Sequence, residues 1–124
     1  MNIPEDLKYT KEHEWVRIEN DSAVIGITDF AQSELGDIIF IEYPEVGQEI
    51  QAGDPMGTIE AVKTVTDLFA PVSGIVTAVN EALEDSPDLV NTDPYNQGWM
   101  VAIKVSSDAG DLLTAVEYQA LLDD

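Results

Sequence analysis

Residues 56–69 constrain this chain more than any other stretch. They read as two short strands meeting at a turn, with one lysine, Lys63, near the tip. On the first arm Ile59 and Ala61 share a face. On the second Val65 and Phe69 do, with Asp67 between them. A period of two on both arms predicts a hairpin with one buried face. Lys63 is the only lysine between Lys11 and Lys104. Lysine suits exposed turns and protects strands from edge pairing, so its position alone signals nothing. Its surroundings say more. Glu60 stands three residues before it. Residues 45–54, with Gly47 and Gly53, and residues 70–76, with Gly74, each have the form of a glycine turn feeding a short apolar strand. The two flanks form an approximate two-fold echo about the hairpin.

The rest of the chain is rich in short strands. Trp15, Arg17 and Glu19 alternate with Val16 and Ile18. Asn20-Asp21 predicts a turn, and residues 22–27 a second strand whose continuous apolar run implies burial on both faces. Residues 28–36 predict a short helix, capped by Thr28, favoured at its start by Asp29 and closed by Gly36. Phe30 and Leu35 are expected to face the core. Residues 37–43 form an apolar strand stopped by Pro44. An acidic connector, residues 81–91, and a turn-rich stretch, 92–98, precede a last strand, 99–105, with Trp99, Val101, Ile103 and Val105 on one face. Ser106, Ser107 and Asp108 offer caps. Leu112, Leu113, Val116, Ala120 and Leu121 then fall at helical spacing in a helix expected from about Asp111 to Leu122. Gly26, Gly47, Gly53, Gly57 and Gly74 are expected at turns or bulges. The pattern predicts a mainly β sandwich or small barrel with peripheral helices, in a single domain over residues 1–124.

Charge narrows the function. Five basic and 25 acidic residues give a net charge of −20. Phosphate binding needs clustered lysine and arginine, so nucleic acid is excluded as a partner, and anionic membrane is disfavoured for the same reason. The acidity fits solubility, salt adaptation or docking onto basic patches of partner proteins. No run approaches the roughly 18 apolar residues of a membrane span. The first residues carry no basic, then apolar, secretory pattern. With no cysteine there is no disulfide and no thiolate metal site or nucleophile.

Little catalytic apparatus is visible. His13, the only histidine, lies between Glu12 and Glu14, an acid–base candidate without a nucleophile motif beside it. Neighbours on a strand point to opposite faces, which argues against a His13–Glu14 pair. One histidine and no cysteine make zinc improbable. Asp85, Asp88 and Asp93 lack the spacing of a calcium loop and read as a solvated acidic stretch. No glycine-rich phosphate loop occurs.

The tip lysine between glycine-turn flanks resembles the lipoyl and biotinyl carrier domains. More specifically, the chain resembles the glycine cleavage system H-protein family. The resemblance rests on Tyr9-Thr10-Lys11-Glu12-His13-Glu14-Trp15-Val16, Ile25-Gly26-Ile27-Thr28-Asp29-Phe30-Ala31-Gln32, Leu35-Gly36-Asp37-Ile38 and Glu60-Ala61-Val62-Lys63. It continues through Ala70-Pro71-Val72-Ser73-Gly74, Val79-Asn80-Glu81-Ala82-Leu83, Asp93-Pro94-Tyr95 and Gly98-Trp99. It covers almost the whole chain in order. Val62-Lys63-Thr64 stands where a biotinyl domain typically shows Met-Lys-Met and a 2-oxoacid dehydrogenase lipoyl domain Asp-Lys-Ala. Glu34 departs from the family, in which histidine is common there.

The resemblance implies a lipoyl/biotinyl-type β-sandwich, a barrel-sandwich hybrid, with short peripheral helices and a C-terminal helix. It implies a non-catalytic carrier with lipoic acid joined by an amide to Lys63, and with Glu60 helping the lipoylating enzyme recognise the tip. The arm would take an aminomethyl group from a pyridoxal-phosphate-dependent glycine decarboxylase and yield it to a folate-dependent aminomethyltransferase. Dihydrolipoamide dehydrogenase would then reoxidise it. Glu14 and Asp67 are candidates for a cleft that receives the loaded arm, with Trp15 and Phe69 as apolar support. The expected form is a monomer in a bacterial cytoplasm, or in the mitochondrial matrix if it is a processed eukaryotic form. Two other readings stand beside this one: a protein of the same fold serving another lipoyl relay or a purely interaction role, and a small acid–base enzyme around His13.

Overall fold

The computed structural model describes residues 2–106 and 112–123. Its elements in chain order are β1 (Lys8–Tyr9), β2 (Glu14–Glu19), β3 (Ser22–Ile27), α1 (Asp29–Leu35), β4 (Ile38–Glu42), β5 (Glu49–Ile50), β6 (Pro55–Ala61), β7 (Val65–Phe69), β8 (Gly74–Val79), α2 (Ala82–Asp85), α3 (Leu89–Thr92), β9 (Val101–Val105) and α4 (Ala115–Leu122). The strands form two sheets, one in the order β1-β2-β3-β9-β8-β5 and one in the order β4-β6-β7. The two flanks of the hairpin pair with each other, β5 against β8, with Ile50 opposite Gly74.

The core lies between the sheets. Val16, Ile25, Val76 and Ile103 from the larger sheet meet Ile38, Ile41, Ile59 and Leu68 from the smaller one, all buried. Each such side chain contributes about 1.5–3 kcal/mol on burial. β3 is buried on both faces over most of its length, as its apolar run requires. A second cluster of Leu7, Tyr9, Trp15 and Tyr118 covers the other side of β2 under α4. Gly26 makes this possible: a β-carbon there would lie 2.7 Å from the Trp15 indole. Gly26 therefore serves close packing rather than a turn or bulge, whereas Gly47 and Gly53 have φ of 92° and 93°, as turns need.

α1 is capped as the sequence predicts. Thr28 Oγ1 accepts from the Ala31 N–H, and the Gly36 N–H closes onto the Gln32 carbonyl. Other expectations are corrected. On β7 the buried residue is Leu68, and Val65 is 59% exposed. Apolar residues lie on both faces of that arm, and Leu68 is the one that meets the core. The C-terminal helix begins at Ala115, where Thr114 and Glu117 form a capping box. Leu113 precedes it and pairs with Tyr9. Val116 is 78% exposed, and Tyr118 turns inward instead. The last strand begins at Val101 rather than Trp99. The expected caps Ser107 and Asp108, and the expected helix start at Asp111, lie outside the described residues. No described helix is long and apolar enough to cross a membrane.

Candidate functional site

Lys63 sits where β6 turns into β7. The Ala61 N–H donates to the Thr64 carbonyl at 2.8 Å, which leaves Val62 and Lys63 as a two-residue loop. Neither has positive φ, so a β-branched and a long side chain fit there without backbone strain. The loop is anchored to the start of β4 by a 3.0 Å bond from the Val62 N–H to the Asp37 carbonyl. The lysine stem lies over Gly36: a β-carbon on that glycine would stand 3.7 Å from Lys63 Cε and 3.9 Å from Nζ. Lys63 is exposed, and so is Glu60, which is paired in register with Phe40 and Val65 on the outer face of the small sheet.

Beside β7 a cleft of about 460 Å³ opens between β2, α1 and β7. Its walls include Ile27, Phe30, Leu35, Ile59, Leu68 and Phe69. Its polar groups come from Glu12, His13, Glu14, Glu34, Thr66 and Asp67. Leu35 packs against the core as expected and also lines this cleft, whereas Phe30, expected to face the core, lines the cleft instead. Phe30 also packs against the His13 ring with 4.7 Å between centroids.

Glu14 is buried, with 2% exposure. Its Oε2 accepts from the Phe69 N–H at 2.8 Å and its Oε1 from the Thr10 hydroxyl at 3.3 Å. Burial pushes its pKa up to about 8, against the opposing pull of those two bonds. Among the described residues the one ion pair joins Arg17 and Glu19, so Glu14 has no basic side chain against it. Asp67 is exposed at the rim of the cleft.

His13 and Glu14 line the same cleft, contrary to the alternation expected of neighbours. The reason is local: His13 precedes β2 with φ of 66°, so the period-two rule does not reach it. His13 Nδ1 lies 2.9 Å from the Tyr118 hydroxyl, which is also 2.7 Å from Thr28 Oγ1. Burial lowers the histidine pKa, while Glu12 and Glu34 oppose the change. The hydroxyl beside His13 Nδ1 is the Tyr118 phenol, shared with Thr28, and the cleft is lined by Thr66 but by no serine. Trp15 is not in the cleft. It is fully buried on the opposite side of β2, its indole N–H donating to the Pro94 carbonyl. Phe69 does line the cleft. Among the described residues no group of three or more histidine, cysteine or acidic side chains is placed to hold a metal.

Sequence reasoning missed Thr10, which orients Glu14, Gly36, which seats the lysine stem, and Tyr118, which fixes His13. Thr10 and Tyr118 carry no motif, since their roles depend on partners brought together only by folding. Gly36 was legible as a helix end but not as a seat for Lys63.

The family model described as glycine cleavage H-protein matches residues 7–124. The chain is 55% identical over 126 residues to the glycine cleavage system H protein of Geobacillus kaustophilus, covering 100% of this chain and 99% of that protein. It is 57% identical over 122 residues to the one from Rubrobacter xylanophilus, covering 98% and 96%. It is similar to the crystal structure of a glycine cleavage system H protein from Mycobacterium marinum, with a TM-score of 0.93, 41% identity and coverage of 98% of this chain and 100% of that one.

Proposed function

The chain belongs to the glycine cleavage H-protein family, and from that premise we propose that it carries lipoic acid on Lys63 as the mobile arm of glycine cleavage, in one domain spanning residues 1–124. The lipoyl group, when bound, supplies a disulfide that takes up an aminomethyl group as it is reduced. The residues present fit such a group. Lys63 offers an exposed amine at a loop tip. The adjoining cleft, about 460 Å³ with largely apolar walls, lies in the size range of small-ligand pockets.

The observation that carries this reading is the seat of the Lys63 stem on Gly36. Gly36 directly follows α1, one wall of the cleft, so the tip leans toward the groove instead of away from it. An arm attached at Nζ starts its course along that wall. Tethering holds the cargo at high effective concentration near its next partner. Apolar walls exclude water from the cargo. Glu14, buried and without a basic neighbour, accepts the cargo's ammonium, and Asp67 adds a second acceptor at the rim. Glu60, exposed three residues before Lys63, helps the lipoylating enzyme recognise the tip.

The partners on this reading are glycine decarboxylase, aminomethyltransferase, dihydrolipoamide dehydrogenase and the lipoylating enzyme, met by a monomer in a bacterial cytoplasm. The protein performs no bond chemistry beyond presenting the arm. Lys63→Arg tests the reading: arginine keeps the charge but does not form the acyl amide. The variant is expected to gain no lipoyl mass and to support no glycine cleavage in a reconstituted system, with stability changed by less than about 0.5 kcal/mol. Full activity in the arginine variant overturns it.

A further inference from the structure

The outer face of the small sheet carries a row of side chains that the carrier role leaves unused. Phe40, Glu60 and Val65 lie in register across β4, β6 and β7. A register shift between Ile38 and Phe40 leaves Ile39 exposed as well. Ile39, Phe40, Val62 and Val65 are 49%, 53%, 68% and 59% exposed. They are half of the eight large apolar side chains left exposed among the described residues, and all four lie beside the tip. Single exposed apolar residues need no explanation, but a contiguous set marks a contact surface. Its edge is acidic: Glu60 lies within it, and the neighbouring row is Glu42, Thr58 and Asp67.

We propose that this face, centred on Phe40 and Val65, is the docking surface for the enzyme that acylates Lys63, which meets it with an apolar centre and a basic rim. The proposal rests on the lipoyl reading above. Reach selects this occupant. In acylation the neutral Nζ attacks the carbonyl carbon of an activated lipoyl group that the enzyme supplies. The N–C bond forms, the bond to the activating group breaks and takes its electron pair, and the amine proton leaves to solvent. The lysine stem has four carbons, so the enzyme must press against the loop and its flanks. Partners acting at the far end of a finished arm can stand off from the tip. The acidic edge supplies the complementary charge. The patch spans β4, β6 and β7, and at Asp67 its acidic edge meets the rim of the cleft.

The test is steady-state lipoylation by a purified lipoate–protein ligase with lipoate and ATP, reading intact mass. The carriers are the parent, the double variant Ile39→Ser with Phe40→Ser, and Val116→Ser as an exposed apolar control on α4. The double variant is expected to raise KM for the carrier about tenfold or more, as loss of an apolar anchor does, with kcat nearly unchanged. KM for the parent is expected to rise with salt, because screening weakens the acidic edge. Once lipoylated at high enzyme concentration, the double variant is expected to be turned over by dihydrolipoamide dehydrogenase like the parent. If the double variant does not fold, Val65→Thr, nearly equal in shape, takes its place with an expected rise of about threefold. An unchanged KM in a folded variant, or an equal rise in the Val116→Ser control, overturns the proposal. A parent that gains no lipoyl mass overturns the lipoyl reading instead.

Discussion

Glu14 Oε2 accepts a 2.8 Å hydrogen bond from the Phe69 N–H, and the bond runs from β2 of the six-stranded sheet to β7 of the three-stranded one. It therefore ties the two sheets together beside the cleft. A carboxyl held this way cannot swing out to water, and the Thr10 hydroxyl fixes its other oxygen. Glu14 is placed, and its surroundings decide its charge.

Burial lifts the Glu14 pKa from its ordinary 4.5 to about 8. The folded state therefore holds a proton that the unfolded state releases. The resulting stabilisation is fully present below about pH 4.5 and is lost as pH rises through 8. Glu14→Gln removes this titration while keeping an acceptor for the Phe69 N–H and an amide for Thr10. Relative to the variant, the parent is expected to lose on the order of 3 kcal/mol between pH 5 and 8. Urea unfolding of both proteins across that range checks it. The difference between them cancels the repulsion common to two highly acidic chains.

Tyr118→Phe isolates the tie between the C-terminal helix and the cleft. The ring stays stacked on Tyr9, 4.7 Å away, but the hydroxyl bonds to His13 and Thr28 disappear. His13 Nδ1 loses this partner, and the fully buried Thr28 Oγ1 keeps only the bond it accepts from the Ala31 N–H. The expected loss is about 1–3 kcal/mol in a urea transition. A loss below about 0.5 kcal/mol would mean that water replaces the hydroxyl.

Gly36→Ala probes the seat of the lysine. Gly36 combines φ of 78° with ψ of −155°, a region almost closed to residues with a β-carbon. The added methyl would stand 3.7 Å from Lys63 Cε, an ordinary contact. The penalty is therefore in the backbone, not in the arm. A stability loss of about 1–3 kcal/mol is expected with lipoylation of Lys63 nearly unchanged, read by thermal unfolding and intact mass.

Much of this architecture was legible from periodicity and caps. Thr28 and Gly36 bracket α1, the alternation of Trp15 and Val16 describes β2, and the hairpin turns beside Lys63, the lysine expected near its tip. Errors arose where one pattern served two surfaces. Val65, Leu68 and Phe69 are all apolar, and period two alone does not say which of them meets the core. In residues 112–122 the leucines preceding the helix mimic its spacing, while the buried anchor, Tyr118, falls off the expected stripe. His13 escaped alternation through a left-handed backbone that no local motif announces. The cleft joins β2, α1 and β7, which are distant in sequence, and no reading of single segments assembles it.

The two candidate acceptors are expected to contribute unequally. An aminomethyl group bonded to sulfur is a nitrogen–sulfur acetal, which water splits to formaldehyde and ammonia. Its survival depends on how long it stays in the cleft. Glu14 is buried, so a cation beside it forms a charge-assisted bond in a poorly screened site, worth about 1.5–3 kcal/mol. That corresponds to roughly a ten- to hundredfold change in the open fraction. Asp67 is exposed at the rim, where solvent screens the pair, and its effect is expected to be less than about fivefold. Glu14→Gln should therefore speed formaldehyde release from the loaded protein far more than Asp67→Asn does. An ammonium docked at Glu14 also favours its ionised form, so loading should shift the pH profile of release downward relative to the empty protein's titration. Formaldehyde trapped over time from the parent and the two variants decides it. If both variants hold the cargo as long as the parent, neither carboxylate guards it, and retention lies with the apolar walls alone.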